Sequence, residues 1–372
     1  MSLPANILQL IEEDERGFKK ISAPLDIPSY DPKTHVIELT RSPYYRALVV
    51  LRHHLRAVSD YYFTTIYGAK NLDLFMLTPS VSSPMGPGSD SEAIQIEFGN
   101  LRTYLVDSSQ FGFEPLLLNG FEKVYCYLPS MRGEDPDQRH LNQFFHCEAE
   151  IKGTLNDLIP HVEAYIRILA EMILGAPLIT GLLSKDSTAT TLALKELVES
   201  SAFPVIDFED AVSLLRGSKE EGVIHETEHG VDMTSKGERI LLEQMGSTLP
   251  TWVKGYTRDR VPFYQKPSES DQNKVINADL LFPALIPGAF GGEIVGAGQR
   301  QDNEQEMRES LSRQGLSAKP YLWYIGLRNL PGYHVTSGFG LGIERFITWA
   351  LCRSDIKEAI MYPRLKNVLT YP

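Results

Sequence analysis

The chain has 372 residues, of which 42% are hydrophobic, and a formal net charge of −12. This composition supports a sizeable hydrophobic core, and it disfavours a protein that attracts nucleic acid by its overall charge, because that requires clustered Lys and Arg. Cys126, Cys147 and Cys352 form no CxxC pair, which favours neither a disulfide framework nor a structural zinc site and indicates a reducing compartment.

The first 41 residues differ in character from the rest of the chain. Residues 1–41 combine a short helical pattern with the proline-spaced stretch SAPLDIPSYDP, so we predict an arm that lies on the domain formed by residues 42–372. The stretch MSLPANILQLIEEDERGFKK is too acidic and too interrupted for a signal or transit peptide, and we therefore expect a cytoplasmic protein.

A long helix is predicted from Ser42, which suits the N-cap position, with Pro43 at the first helical position. Its apolar residues recur at helical spacing, and we expect the helix to end near Gly68. The apolar stripe consists of Leu48, Leu51, Leu55 and Val58.

Strand-like segments follow in two blocks. The first block contains LDLFMLTPSV, AIQIEF, RTYLV, KVYCYLP and LNQFFHCEAEIKG, and the second contains VINADLLFPAL and GGEIVGAG. Residues 158–250 have mainly helical patterns, with a helical insertion at about 180–260, and a closing helix begins at about residue 342. The apolar stretch YIRILAEMILGAPLITGLL is predicted to be a packed helix followed by a turn. This order predicts one large α+β domain, in which helices flank an antiparallel sheet.

A glycine-rich stretch, SGFGLGIER, precedes the closing helix and contains Gly338, Gly340 and Gly342. Glycines let the backbone approach a ligand and adopt positive φ, and the start of a helix attracts negative charge. Arg345 adds a cation suited to phosphate oxygens. The pattern predicts a turn that binds phosphate, although close packing of a strand against a helix also requires small residues.

A second constellation lies in MRGEDPDQRHLNQFFHCEAE, residues 131–150. Arg132 and Glu134 stand two apart at a strand end, and the chain returns through Phe144 to Glu148 and Glu150, which share one face. Such a hairpin offers a guanidinium to a phosphate, a ring to a base, and carboxylates to a metal or an ammonium group. The alternative interpretation is a ladder of surface salt bridges.

Two further patterns concern metals. Asp279 and Glu293 flank LLFPALIPGAFGG, and two carboxylates beside a phosphate site suit Mg²⁺. The stretch HETEH, residues 225–229, matches the HExxH pattern of zinc proteases, but that chemistry requires a long helix. Gly222 and Gly230 bracket the stretch, so we predict a solvated loop instead.

Four separated motifs together resemble a known family. They are MRGEDPDQRHLNQFFHCEAEI, GGEIVGAGQR, WYIGLR and SGFGLGIERFITWALCRSDIKEAIMYPR. Over about residues 42–366 the chain resembles the catalytic core of class II aminoacyl-tRNA synthetases of the aspartate/asparagine type, closest to the asparaginyl branch. The resemblance implies the class II antiparallel sheet, ATP and Mg²⁺ as cofactors, and a homodimer formed partly through the region ending at Pro79.

The resemblance also implies roles for individual residues. Arg132 would bind the α-phosphate of ATP, Arg345 the γ-phosphate, and Phe144 would stack on adenine. The nucleotide site would further contain Glu134 and His140, and Mg²⁺ would be held by Asp279 and Glu293. The matching positions of the substrate pocket are Gln110, Glu114 and Arg328.

The chain also departs from that family. The synthetases carry an oligonucleotide-binding β-barrel before the core, whereas about 41 residues precede Ser42, so we expect the anticodon-binding domain to be lacking. The family's mobile loop supplies a glutamate for the substrate's α-ammonium group, and this chain has SSPMGPGSDSE at that place. Gly326 stands where the family usually has an acidic residue.

From these departures we predict an ATP-dependent carbon–nitrogen ligase that works without tRNA. It would activate a small-molecule carboxylic acid as an acyl-adenylate and capture ammonia, releasing AMP and pyrophosphate, as an asparagine synthetase does. A second adenylation could carry the amide on to a nitrile. Neither tRNA nor a membrane is expected as a partner. The alternatives are a truncated asparaginyl-tRNA synthetase that charges tRNA, and a non-catalytic ATP-binding paralogue with a regulatory role.

Overall fold

The computed structural model describes residues 3–371. The helices are α1 (Ala5–Glu15), α2 (His35–Arg41), α3 (Pro43–Tyr61), α4 (Glu114–Leu118), α5 (Leu155–Leu174), α6 (Pro177–Leu183), α7 (Ser187–Glu199), α8 (Phe208–Arg216), α9 (Ser235–Met245), α10 (Glu304–Arg313), α11 (Leu322–Gly326) and α12 (Ile343–Ala350). The strands are β1 (Lys70–Asn71), β2 (Leu77–Thr78), β3 (Gln95–Phe98), β4 (Leu101–Leu105), β5 (Lys123–Met131), β6 (Gln143–Lys152), β7 (Val205–Asp207), β8 (Ile224–Thr227), β9 (Gly230–Met233), β10 (Thr251–Lys254), β11 (Asn277–Phe282), β12 (Gly292–Gln299) and β13 (Thr336–Gly342).

The centre of the fold is an eight-stranded sheet in the order β1-β5-β6-β13-β12-β11-β10-β7. The strands from β5 to β10 pair antiparallel, whereas β1 and β7 pair in parallel at the two edges. The apolar faces of α3, α5 and α12 join the sheet in one hydrophobic cluster. The predicted α+β class, an antiparallel sheet flanked by helices, is confirmed.

Helix α3 begins as its sequence predicts. Ser42 is extended and Pro43 lies in the first turn, although the Ser42 side chain makes no capping hydrogen bond. The four residues of the predicted apolar stripe are each at most 1% exposed, and burial of one such side chain contributes about 1.5–3 kcal/mol. The helix ends at Tyr61 and continues as a π-helical turn, Tyr62–Ile66, which brings the chain close to the predicted end at Gly68.

The N-terminal residues pack on the core through both apolar and polar contacts. Ile11 and Phe18 are buried in the main hydrophobic cluster. The Glu15 carboxylate accepts a hydrogen bond from the Ile179 amide at 2.8 Å, and the Leu25 amide donates to the Leu182 carbonyl oxygen at 2.8 Å. The segment therefore lies against α6; its boundary at residue 41 stays a prediction.

Three local predictions are wrong. The segment LDLFMLTPSV is a strand only at Leu77–Thr78. The glycines of SGFGLG belong to strand β13 and have no positive φ, because this strand lies between β6 and β12 and needs small side chains there. The stretch HETEH forms β8 and the start of a turn, since His225 pairs with Asp232 and Glu226 with Val231 on β9.

The segment predicted as a helical insertion contains strands as well as helices. Helices α8 and α9 and the β8–β9 hairpin share a second hydrophobic cluster with residues of β10 and β11, so this segment is packed against the edge of the main sheet. The bounds of the insertion stay a prediction. Among residues 3–371, no single helix is long and apolar enough to cross a membrane, and the one helix pair that passes that test jointly, α5 with α6, is bent by 90°.

Candidate active site

Two adjoining cavities are lined by residues of the central strands and of the β8–β9 hairpin. The larger cavity has a volume of about 530 Å³ and the smaller one about 270 Å³, sizes suited to a nucleotide and to a smaller substrate. Both cavities are lined by Arg132, His146, Asp232, Glu293 and Gly340. Because these residues are shared, a ligand in one cavity meets a ligand in the other at this junction.

The β5–β6 hairpin places Arg132 and Phe144 together in the larger cavity. The Arg132 guanidinium carbon lies 5.3 Å from the centre of the Phe144 ring. The buried Arg132 Nε has no hydrogen-bond partner among residues 3–371, so it is a donor left for a ligand. The Asn142 side chain donates to the carbonyl oxygens of Arg132 and Glu134, both at 2.8 Å, and this fixes the end of the hairpin.

Glu134 and His140 also line the larger cavity. The Glu134 carboxylate accepts a hydrogen bond from the Glu92 amide at 3.2 Å. His140 Nδ1 lies 2.9 Å from Asp137 Oδ1. Burial, and then the positive charge of Arg345, lower the pKa of His140, so its imidazole is neutral beside the arginines.

Arg345 reaches the larger cavity from the first turn of α12. Its Nη1 lies 3.2 Å from Glu293 Oε2. Glu293 is in turn fixed through its backbone, because its amide donates to Glu238 Oε2 at 3.0 Å. The same Glu238 oxygen lies 3.0 Å from Arg139 Nη2. Arg139 and Glu238 thus hold this corner of the site.

Asp279 on β11 and Glu293 on β12 converge in the smaller cavity. A Cβ atom on Gly296 would lie 3.5 Å from both Asp279 Oδ1 and Glu293 Oε1, so glycine leaves the space that the two carboxylates share. Burial, and then repulsion from Glu293, raise the pKa of Asp279 well above its ordinary value. Burial opposes ionisation of Glu293 as well, but Arg345 and Arg139 lower its pKa. Two neighbouring carboxylates, one of which has a raised pKa, gain from added positive charge, so the pair fits Mg²⁺.

His146 and Glu148 both lie on β6. His146 lines both cavities at their junction, and Glu148 lines the smaller cavity. Burial, and then the charge of Arg132, lower the pKa of His146 well below its ordinary value, so the ring is neutral. Glu148 accepts hydrogen bonds from the Ser108 hydroxyl and, at 2.8 Å, from the Ser109 amide. Burial raises the pKa of Glu148 despite these bonds.

The smaller cavity is lined by neutral hydrogen-bonding groups and by Arg300, which forms a buried ion pair with Glu150 outside the lining. Gln110 Nε2 donates to the Tyr264 hydroxyl at 2.7 Å, and burial raises the pKa of Tyr264 to about 12. Arg300 donates to Glu150 Oε2 from Nε at 3.0 Å and from Nη2 at 2.9 Å. Burial raises the pKa of Glu150 to about 7 although Arg300 opposes the shift. The cavity therefore suits a small polar molecule.

Glu114 and Arg328 form a pair behind this cavity. Arg328 Nη1 lies 2.9 Å from a Glu114 oxygen, with both side chains 1% exposed, and the Tyr324 hydroxyl donates to the same carboxylate. Neither residue lines the larger or the smaller cavity. The other eight predicted site residues do, so the role of Glu114 and Arg328 as direct substrate ligands stays a prediction.

Sequence reasoning missed several residues of the site. Asp232 lines both cavities and His225 the larger one; His225 is the first residue of HETEH, for which a solvated loop is predicted, and Asp232 lies just after it. Arg300 stood within the motif GGEIVGAGQR but was given no role. A usable signal is the pair of segments IHET and GVDM on either side of the two-residue turn at residues 228–229, an arrangement typical of a hairpin.

Adjoining cavities for a nucleotide and a small polar substrate, built on an antiparallel sheet, are the arrangement of class II aminoacyl-tRNA synthetases. Comparison with known proteins agrees with this class. The family model described as tRNA synthetases class II (D, K and N) matches residues 36–366. The chain belongs to this family.

Individual relatives point to one branch. The chain is 29% identical over 343 residues to the asparagine–tRNA ligase of Mycoplasma pneumoniae, covering 89% of this chain and 72% of that protein. It is 33% identical over 287 residues to the enzyme of Thermococcus gammatolerans, covering 76% and 61%. The crystal structure of asparaginyl-tRNA synthetase from Pyrococcus horikoshii complexed with asparaginyl-adenylate superposes with a TM-score of 0.78 at 25% identity, covering 92% of this chain and 74% of that one.

These findings confirm some predictions and overturn others. The resemblance to asparaginyl-tRNA synthetase is confirmed, as are an ATP-dependent ligase and the cofactors ATP and Mg²⁺. The tRNA-independent ligase that captures ammonia to form an amide or a nitrile is wrong, because the similar proteins are tRNA ligases. The exclusion of tRNA as a partner is wrong for the same reason. A net charge of −12 is a property of the whole chain and does not describe the surface that meets one ligand.

Proposed function

We propose that this protein activates asparagine with ATP to give asparaginyl-adenylate and pyrophosphate, and then transfers the asparaginyl group to tRNA. The observation that carries the proposal is the junction of the two cavities at Arg132. A nucleotide in the larger cavity and an amino acid in the smaller one meet at an arginine with a free donor.

In the first step, a carboxylate oxygen of asparagine attacks the α-phosphorus of ATP, and the bond to the β-phosphate oxygen breaks. Arg132 faces the α-phosphate, where negative charge increases in the transition state, and Arg345 holds the γ-phosphate of the leaving pyrophosphate. Phe144 packs on the adenine, and Glu134 and His140 line the same cavity.

Asp279 and Glu293 are the residues that would hold Mg²⁺, which neutralises phosphate charge when it is bound. The two side chains share the space beside Gly296. The raised pKa of Asp279, caused first by burial and then by Glu293, supports this assignment, because a cation between the carboxylates relieves both effects.

The smaller cavity supports an uncharged polar side chain as the substrate group. Arg300, which lines this cavity, is already paired with the buried side chain of Glu150. A substrate with a second carboxylate would have to break that pair, whereas an amide can donate and accept hydrogen bonds without doing so. Gln110 and Tyr264 offer such neutral partners.

In the second step, a hydroxyl of the 3′-terminal ribose of tRNA attacks the carbonyl carbon of the adenylate, and AMP leaves. Support for this step comes from the relatives, which are asparagine–tRNA ligases. The basis for this step is therefore the similarity of the whole catalytic core to these relatives, and not a tRNA-binding surface identified on this chain.

The experiment that tests the proposal has two parts. Exchange of labelled pyrophosphate into ATP is measured with asparagine, aspartate or glutamate, and charging of total tRNA is measured with labelled asparagine across a salt series. We expect exchange with asparagine only, and charging that falls steeply as salt rises, because phosphate contacts release counterions.

Two results would contradict the proposal. Exchange with asparagine but no charging of any tRNA would remove the second step. Exchange with aspartate at the same efficiency as asparagine would remove the assignment of the amino acid.

A further inference from the structure

Residues 82–92 form a wall of both cavities. Ser83 lines the smaller cavity, whereas Ser89, Asp90 and Ser91 line the larger one. This segment, SSPMGPGSDSE, is called the wall segment below. Its place beside both cavities means that the space for the two substrates depends on how firmly it is held.

The two ends of the wall segment are tied to the core. At one end, the Asp107 carboxylate accepts hydrogen bonds from the amides of Ser82 at 3.0 Å and Ser83 at 2.7 Å. At the other end, the Gly133 amide donates to the Glu92 carbonyl oxygen at 2.6 Å. Asp107 is buried, so these ties are shielded from water.

The middle of the wall segment packs near Val261 and Gln314 and receives a hydrogen bond from one side chain elsewhere in the chain. Arg260 Nη1 donates to the Pro87 carbonyl oxygen at 2.8 Å. Within residues 3–371, this is the one hydrogen bond that joins residues 84–91 to the rest of the protein. The segment's own bonds, between the backbones of Gly86 and Ser89, stiffen its tip but do not fasten it to the core.

Arg260 is itself held by the hairpin that completes the junction. Its Nη2 lies 2.8 Å from Asp232 Oδ2, and its side chain is 8% exposed. Asp232 lines both cavities and Arg260 the smaller one. The other Asp232 oxygen accepts from the Met233 amide at 2.8 Å, so the carboxylate has a fixed direction. One guanidinium thus connects the wall segment to the β8–β9 hairpin across the substrate site.

We propose that Arg260 is a positioning residue for amino-acid activation, which holds residues 84–91 of the wall segment against the β8–β9 hairpin and so keeps the two adjoining cavities closed around their substrates. The predicted effect on substrate KM values rests on the proposed function, whereas the predicted effect on the wall segment's amide exchange does not. Charge-assisted hydrogen bonds in a site shielded from water are stronger than neutral ones, and two of them converge here on one side chain.

The test compares Arg260→Met, Arg260→Lys and the wild-type protein by amide hydrogen exchange and by pyrophosphate exchange. Arg260→Met should speed exchange at the Gly86 and Ser89 amides by roughly tenfold or more, while the amides between β6 and β13 keep their wild-type protection. It should raise the KM values for ATP and asparagine by a similar factor and change kcat less, because Ser89, Asp90 and Ser91 line the larger cavity and Arg260 the smaller one. Arg260→Lys keeps a cation that can reach only one of the two partners, so both effects should be intermediate.

The matched control is Arg216→Met. Arg216 on α8 forms an exposed ion pair with Glu226 of the β8–β9 hairpin, so this variant also removes an arginine that contacts the hairpin. It should leave the wall segment unchanged. Unchanged exchange at Gly86 and Ser89 in Arg260→Met would overturn the proposal, and so would a rise in exchange throughout the β6–β13 ladder, which marks a general loss of stability. If the wild-type protein does not activate asparagine, the proposed function fails, and the hydrogen-exchange comparison still decides the role of Arg260.

Discussion

Arg345 Nη1 lies 3.2 Å from Glu293 Oε2 and 3.1 Å from the Glu293 carbonyl oxygen. The residue assigned to the γ-phosphate is therefore paired with a residue assigned to the metal. Both side chains remain partly exposed, at 19% and 37%, so ligands can reach them. When a triphosphate and a cation bind, the phosphate provides a negative charge for Arg345 and the cation provides a positive charge for Glu293.

The first prediction concerns this arginine. Arg345→Gln should lower kcat/KM for ATP in pyrophosphate exchange by roughly a hundredfold to a thousandfold, the usual loss when one donor to a developing charge is removed. Arg308→Gln is the control, because Arg308 pairs with Glu304 on the exposed side of α10. A loss confined to the asparagine KM would contradict the assignment to the γ-phosphate.

The second prediction concerns the adenine. Phe144→Leu should raise the KM for ATP about five- to 150-fold, since stacking of a base on an aromatic ring contributes about 1–3 kcal/mol. Phe144→Tyr keeps the ring and should stay near the wild-type value. The KM for asparagine should change little, because Phe144 lines only the larger cavity. Equal effects on both KM values would indicate a collapsed hairpin instead.

The third prediction links pH to Mg²⁺. Burial and Glu293 raise the pKa of Asp279, so protons compete with the cation for this carboxylate as the pH falls. The Mg²⁺ concentration needed for half-maximal pyrophosphate exchange should therefore rise as the pH is lowered below neutrality. Asp279→Asn should need more Mg²⁺ at every pH and should show a flatter dependence. If the two proteins respond to pH in parallel, Asp279 is not the competing group.

The fourth prediction concerns stability. Burial raises the pKa of Glu150 to about 7 in the folded protein, whereas an unfolded glutamate has a pKa of about 4.3. Between these values the folded state binds more protons, so the wild-type protein loses stability as the pH rises through this window. Glu150→Gln does not titrate there.

Urea unfolding across that window checks the fourth prediction. The free energy of unfolding of the wild-type protein should fall relative to Glu150→Gln up to about pH 7 and then run parallel to it. Glu122→Gln is the control, because Glu122 is 69% exposed in its pair with Lys152. A constant difference between wild-type protein and Glu150→Gln at all pH values would rule out this titration.

The fold and much of the site could be predicted from the sequence because their signals are local. Helix α3 follows from Ser42, Pro43 and an apolar stripe, and the β5–β6 hairpin follows from alternating residues that end at Arg132. Periodicity describes which face is buried, but it does not give the partner across a sheet. For this reason Asp232 and Arg300 have no predicted role, because the place of the β8–β9 hairpin beside the cavities and the pairing of Arg300 with Glu150, 150 residues away, depend on contacts that no local pattern gives.

The contacts of Arg260 are even harder to predict from sequence. Its contacts with Pro87 and Asp232 join segments that are 173 and 28 residues away along the chain, and no spacing rule connects them. The wrong prediction of a ligase that works without tRNA had a different origin. It gave weight to segments that differ from the family, such as the wall segment, and less to the core that agrees with it.

The glycine at position 338 has a consequence for redesign of this enzyme. A Cβ atom there would lie 2.5 Å from Arg300 Nη2 and 2.9 Å from both Glu150 Oε2 and the Ala149 carbonyl oxygen, so no larger residue fits between Arg300 and strand β6. The first glycine of SGFGLG is thus required by the close approach of the Arg300 side chain, and it does not serve as a hinge. A side chain at position 338 would therefore require changes at residues 300 and 150 together with a shift of the β6 backbone, whereas Glu150→Gln keeps the size of the side chain and requires no change at position 338.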